Sequence, residues 1–460
     1  MAKIAALGAY VYQAVLALGL LLVVSNRLPS AEFTAYSLFV SIVQFTAIAC
    51  FEWIRFACSR FYPGPDAQSE ASERGTIAYE FLACCGFCGL GALIAWLCGV
   101  PAPVAGLGAV AAVVQGGSEI HLTMLRFRHA FRLFSWMQAL RASLMAAGTL
   151  AGAWAGPDFA HVLAGMIAGY LAYVFVAVLV SRGGFGAPMR RSREAMRKHL
   201  AYGGISAGAS VAAMLAPLGL KAIFTAVLGG QGAAAPLLAL DLLQRPFVLI
   251  VSAIYAIRYP TLVQLFDRDS GSGAFRRELG RYYVLLAGFS MMGAAAVLSL
   301  LAFATALLIA PDLRASFLRI APLITLTALA RALVQTLLPT AAHLQRRLAA
   351  IALLAVFDSA LMCLGALVAT GLLGASDVAI SAGATVGALI ALAGGLVLLR
   401  LLPFELPRLP LVSALLALVA AWVVSIWLGG NAVMAAVAGL AATLLISLPA
   451  LPRMLRWLAH

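Results

Sequence analysis

Long apolar runs recur along the whole chain, and polar residues gather in the short stretches between them. The runs cover residues 4–24, 33–52, 76–99, 102–125, 134–155, 159–180, 201–228, 234–260, 282–309, 320–341, 348–372, 376–400, 409–428 and 431–450. Each comes close to the roughly 20 residues that a helix needs to cross a hydrocarbon core. A transmembrane strand needs only about 9–11 residues, so runs of this length exclude a closed β-barrel. The pattern predicts an all-α integral membrane protein of about fourteen spans.

The connections between the runs are asymmetric in charge. One alternating set carries Arg55, Arg60 and Arg74, then Arg126, Arg128 and Arg132, then Arg190, Arg191, Arg193, Arg197 and Lys198. It continues with Arg276, Arg277 and Arg281, with Arg346, Arg347 and Arg408, and ends in Arg453 and Arg456. The opposite set offers Arg27, Arg314 and Arg319. Basic connections stay on the cytoplasmic side, so both termini are expected in the cytoplasm, as an even number of spans requires. The longest basic connection, 181–199, follows the sixth run. It divides the chain into an N-terminal six-helix lobe (1–180), a basic cytoplasmic linker (181–200), a C-terminal six-helix lobe (201–402) and two additional helices with a short basic tail (403–460). Paired helical blocks are the architecture of carriers that rock two halves around a central site.

Composition agrees with the pattern. Of 460 residues, 63% are hydrophobic and 10% are charged, with a mean hydropathy of +1.01; soluble domains carry about a quarter charged residues. The net charge of +14 does not indicate nucleic acid, because the basic residues sit in loops between spans and no nucleic-acid-binding motif is present. They suit orientation and contact with anionic lipid headgroups. The seven cysteines are odd in number, which argues against a disulfide framework. Cys84, Cys85 and Cys88 lack the His or carboxylate that would complete a metal site and read as small packing residues. Residues 4–24 are long for a signal-peptide core and more spans follow, so they read as the first, uncleaved span.

The charges that fall inside the runs are the candidate chemistry. At about 1.5 Å per residue, Glu119 and Arg141 both lie ~10 Å from the cytoplasmic side, and Lys221 and Asp241 both ~10 Å from the outer side. Each couple is a candidate ion pair at matched depth. Asp241 and Arg245 also stand four apart, which on one helix would let them neutralise each other. Arg245, Arg331 and Asp358 fall near mid-membrane on three different helices, one carboxylate against two guanidiniums. A charge at the bilayer centre costs about 2.5–3.5 kcal/mol even on lenient insertion scales, so such residues face protein or a wet cavity. Planar guanidiniums match the oxygens of a phosphate or pyrophosphate.

Other motifs carry less. Asp267-Arg-Asp269 has the form of a nucleotide-sugar metal motif but sits beside Ser-Gly-Ser-Gly and reads as a solvated turn. No Gly-rich nucleotide loop is present. His121, close to Glu119, is either a proton relay or a hydrogen-bonding packing residue. The stretch Gly203–Gly208 reads as a close-packed helix face.

Several stretches together resemble the Wzx-type polysaccharide flippases of the multidrug/oligosaccharidyl-lipid/polysaccharide exporter superfamily. They are "LPSAEFTAYSLFVSIVQF" (28–45), "FEWIRFACSRF" (51–61), "MLRFRHAFRLFSWMQALRASL" (124–144) and "LDLLQRPFVLIVSAIYAIRYPTLVQLF" (240–266). The resemblance runs to about residue 350. It implies a bacterial inner-membrane carrier, not an enzyme, which moves undecaprenyl-pyrophosphate-linked oligosaccharide between leaflets by alternating access. Membrane lipids, a glycan polymerase and a chain-length regulator are its implied partners. On this reading Arg245 and Arg331 contact the pyrophosphate, Lys221 extends the positive path outward, and Arg141 and Arg55 line the cytoplasmic mouth. Asp241, Asp358, Glu119, His121 and Gln244 support them or take part in coupling. Relatives often carry an acidic–basic pair near Lys221. Here Leu220-Lys-Ala222 has only the base, which leaves the coupling ion, H+ or Na+, unassigned, and no other cofactor is expected. The alternatives are a drug or small-solute exporter of the same superfamily and a membrane glycosyltransferase or polymerase. The short outer connections count against the last.

Overall fold

The computed structural model describes residues 2–62, 67–181, 191–399, 401–428 and 430–459. Residues 182–190 of the basic linker, with Arg190, lie outside the described residues. Every predicted apolar run is helical, and the chain is a multi-pass, all-α membrane protein. Two compact units emerge, Met1–Leu218 and Gly219–His460.

The first unit contains α1 (Ala2–Arg27), α2 (Ser30–Phe61), α3 (Ala67–Leu97), α4 (Ala102–Phe127), α5 (Phe131–Ala155), α6 (Phe159–Ser181) and the start of α7 (Arg193–Leu243). Here α5 packs on α1 and α6, and α4 packs on α2 and α3. Among the described residues nine helical stretches are long and apolar enough to cross a bilayer, and a bent pair near the C-terminus makes a tenth. Helices α4 and α5 fall below that standard. Gln115 and Glu119 dilute the first, and Gln138 and Arg141 the second. Gln138 and Arg141 are buried inside the unit, where neighbouring helices satisfy them and lipid does not have to.

The α5–α6 contact shows how the unit closes without a hydrophobic drive, since lipid is as apolar as the helix faces. Both helices repeat a glycine four residues on, Gly148/Gly152 and Gly165/Gly169. A Cβ at Gly148 would stand 2.3 Å from the Gly165 carbonyl oxygen, and one at Gly165 would stand 2.2 Å from that of Gly148. Only the missing side chains let the two backbones approach this closely.

The second unit repeats this device. Its helices are the rest of α7, α8 (Arg245–Asp269), α9 (Gly273–Leu308), α10 (Pro311–Thr336), the short α11 (Pro339–Leu344), α12 (Leu348–Leu373), α13 (Asp377–Leu398), α14 (Arg408–Trp427), α15 (Ala432–Ser447) and α16 (Leu451–Ala459). Between α12 and α13, a Cβ at Gly383 would stand 2.1 Å from the Gly365 carbonyl oxygen. The core of this unit is α9, which touches α8, α10, α14 and α15.

Two breaks shape the region that carries the charges. Gly229 adopts φ 72°, a left-handed conformation that glycine alone enters without strain, and it divides α7 into two helical segments. At Gln244 the helix breaks again, and α8 starts at Arg245 with Pro246 in its first turn, a position where proline's missing N–H costs nothing. The predicted run 234–260 is therefore two helices. Gln244 itself keeps helical backbone angles, and Arg245 still reaches back four residues to Asp241.

The stretch Gly203–Gly208 is a close-packed face at one of its glycines. Gly203 is a close-packing position, because a Cβ there would stand 2.1 Å from the Trp53 carbonyl oxygen. Gly204 and Gly208 have nothing within 4 Å.

Candidate functional site

Within the first unit a cavity of about 200 Å³ lies among α1, α2, α4, α5 and α6. Its polar lining comes from Gln13, Gln44, Gln115, Ser118, Glu119, Arg141 and Tyr170. Arg141 is 5% exposed. Its Nη1 donates to Ser118 Oγ at 2.8 Å and to Glu119 Oε1 at 2.7 Å. The Glu119 side chain keeps 40% exposure, so the acid forms the open end of the pair and the guanidinium is the buried end. Two charge-assisted bonds to acceptors on one helix fix the guanidinium's position and its plane.

The glutamines form a second layer. Gln138 Nε2 donates to Gln13 Oε1, and Tyr170 Oη donates to Gln115 Oε1 at 3.4 Å. Tyr12 and Ser143 share a bond of 2.8 Å between α1 and α5. Each amide offers both donors and acceptors, so the lining suits a neutral, hydroxyl-rich group as well as an anion. Each of these glutamines stands in the sequence as an uncharged polar residue inside an apolar run. His121 is not part of the lining of this cavity. It lines a separate, mainly apolar cavity of about 380 Å³ with Arg74, Phe81 and Met124.

In the second unit, Lys221 Nζ donates to both Asp241 oxygens, Oδ1 and Oδ2, at 2.7 Å. Lys221 is 2% exposed. Arg245 turns its Nε to the Asp241 main-chain carbonyl at 3.0 Å. That carbonyl lies in the last turn of α7, where helices leave acceptors unfilled. Gln244 is the residue at the break itself. Arg331 Nε faces Asp358 Oδ2 at 3.3 Å, and Asp358 is fully buried. The structure brings together Lys221 with Asp241 and Arg331 with Asp358. Arg55 pairs with Glu52 one turn away on α2 and lies 5.5 Å from the Phe56 ring.

The arrangement can hold an anionic or hydroxyl-rich group by hydrogen bonding. Among the described residues no cluster of His, Cys, Asp and Glu has the geometry to hold a metal ion.

No family model matches the chain, and no curated protein matches it. Solved structures do. A lipid II flippase, MurJ, in an inward closed conformation is similar with a TM-score of 0.68 at 10% identity, over 96% of this chain and 98% of that one. A multidrug resistance MATE family transporter of the MOP superfamily is similar in its inward-facing form, with a TM-score of 0.61 at 14% identity over 84% and 94%. An outward-facing MATE structure gives 0.59 at 12% identity over 86% and 93%. The chain has the fold of these carriers.

Proposed function

We propose that this protein is a flippase that moves a polyprenyl-pyrophosphate-linked oligosaccharide, undecaprenyl in bacteria, from the cytoplasmic to the outer leaflet of the inner membrane. Arg141 carries this reading: a buried guanidinium, held by Ser118 and Glu119, in a glutamine-lined cavity inside a membrane unit. A guanidinium fits phosphate oxygens, and side-chain amides fit sugar hydroxyls. Lipid keeps such groups only where they serve a purpose. The polar lining of this cavity, rather than its volume of about 200 Å³, favours a polar head group over an apolar drug.

Arg245, Arg331 and Lys221 serve the pyrophosphate on this reading, each held in place by its acidic or carbonyl partner. Arg55 and Arg141 attract it from the cytoplasmic side. Both termini lie in the cytoplasm, because the basic connections alternate with nearly neutral ones.

Translocation in proteoliposomes tests the proposal. A fluorescent lipid-linked glycan should become accessible to a membrane-impermeant quencher with the wild type and not with Arg141→Ala. Equal accessibility with and without protein would overturn it. Export of cationic drugs by the same vesicles would assign the chain to drug efflux.

A further inference from the structure

His199, in the second turn of α7, is enclosed by two glutamates of α3. Its Nε2 lies 2.6 Å from Glu73 Oε1, and its Nδ1 lies 3.0 Å from Glu80 Oε2. The side chains of His199 and Glu80 are each 1% exposed, and that of Glu73 is 12% exposed. Phe61 stacks on the imidazole at 5.9 Å with an interplanar angle of 17°, and meets Tyr202 edge-on. The surroundings hold the ring in place: Ser192 N donates to Thr76 Oγ1 at 3.1 Å, and Gly203 sits against the Trp53 carbonyl.

We propose that His199, Glu73 and Glu80 form a proton-binding site that clasps the first turns of α7 to α3. The proposal is independent of the substrate assigned above. An acid on each side of the ring means that only the imidazolium can donate at both nitrogens. Loss of one proton leaves a lone pair facing a carboxylate, and two acids share a buried space with no cation between them. Gain of one proton on a carboxylate makes the three groups neutral together. The cluster therefore has a state that holds α7 and a state that repels it, one proton apart.

The neighbouring charges are engaged in contacts of their own. On α3, Glu70 is occupied by Arg128, whose Nε lies 2.8 Å away at the end of α4. Tyr62, just past α2, donates to the same Glu70; burial, reinforced by that carboxylate, pushes its hydroxyl up, so it stays protonated. Arg74 is buried on α3 on the side of the apolar cavity. Cys58 on α2 and Cys84 on α3 are buried thiols. On α7 itself Glu194 and Lys198 pair with each other at 2.7 Å in the open. Arg191 lies over the Tyr79 ring.

Hydrogen–deuterium exchange of the full-length protein in nanodiscs, from about pH 6 to 10, tests the site, because burial works against the imidazolium but the two glutamates outweigh it and hold His199 up at about 9. Protection of residues 193–205, corrected for the intrinsic rate, should fall as pH rises through one single-proton transition. In Glu80→Gln that transition should move to lower pH by about 1 unit or more, because the imidazolium loses one of its two stabilising charges. In His199→Gln it should vanish, with helix content and thermal transition retained as the folding control. An unchanged transition in both variants would overturn the proposal. So would protection in the wild type that does not vary with pH.

Discussion

Lys221 and Asp241 stand twenty positions apart in sequence, yet the ammonium lies 2.7 Å from each oxygen of the carboxylate. The turn at Gly229 separates them along the chain, so the pair closes a helical hairpin by its charges. Leaving either charge without the other is costly in a low-dielectric interior, by about 3–5 kcal/mol for a fully buried pair. Lys221→Ala and Asp241→Asn should each destabilise the solubilised protein by about 3 kcal/mol. The double variant should lose much less than the sum. A double-mutant cycle on unfolding free energies measures this. Additive losses would mean that the pair contributes nothing as a pair.

Arg141 binds Ser118 and Glu119 at once. Both bonds leave from Nη1; a lysine has a single point of charge and lacks the planar fork that matches phosphate oxygens. Arg141→Lys should therefore lower translocation of a lipid-linked glycan by about tenfold or more, the equivalent of one charge-assisted bond at 1.5–3 kcal/mol. Insertion into the membrane should be normal. Quenching kinetics in proteoliposomes, normalised to protein content, give the ratio.

The glycine contacts predict opposite outcomes for one substitution. Gly165→Ala puts a methyl 2.2 Å from the Gly148 carbonyl oxygen. It should cost about 1–3 kcal/mol as α5 and α6 move apart. Gly204→Ala meets nothing within 4 Å, and inside a helix it should stabilise by about 0.5–1 kcal/mol. Apparent melting temperatures of the two variants should move in opposite directions.

Helix α12 runs unbroken from Leu348 to Leu373, so its two flanking connections face opposite sides of the membrane. In a cysteine-free background, Arg346→Cys should be protected from an impermeant maleimide added to whole cells. A cysteine at Gly374 should be labelled. The reverse pattern would invert the orientation drawn from the basic connections.

The hydropathy pattern by itself determined that the chain crosses a membrane many times as helices, and where each helix lies. The reason is local: a backbone in lipid must satisfy its own hydrogen bonds, so length and apolarity suffice. Matched depth also anticipated which residues meet, Glu119 with Arg141 and Lys221 with Asp241, because a residue's height along a helix follows from counting. Rotation about the helix axis and breaks in the helix do not follow from counting, and tertiary structure decided them. The turn at Gly229 folded Lys221 back onto the Asp241 carboxylate, while Arg245 reached the Asp241 main-chain carbonyl. The facing of α3 toward α7 enclosed His199 between Glu73 and Glu80, a meeting that counting along the helices did not anticipate. Convergence of α1, α2 and α4 turned scattered glutamines into the wall of one cavity. Each of these depends on which side of a helix meets its neighbour, and that is set by close packing of small residues across the whole unit.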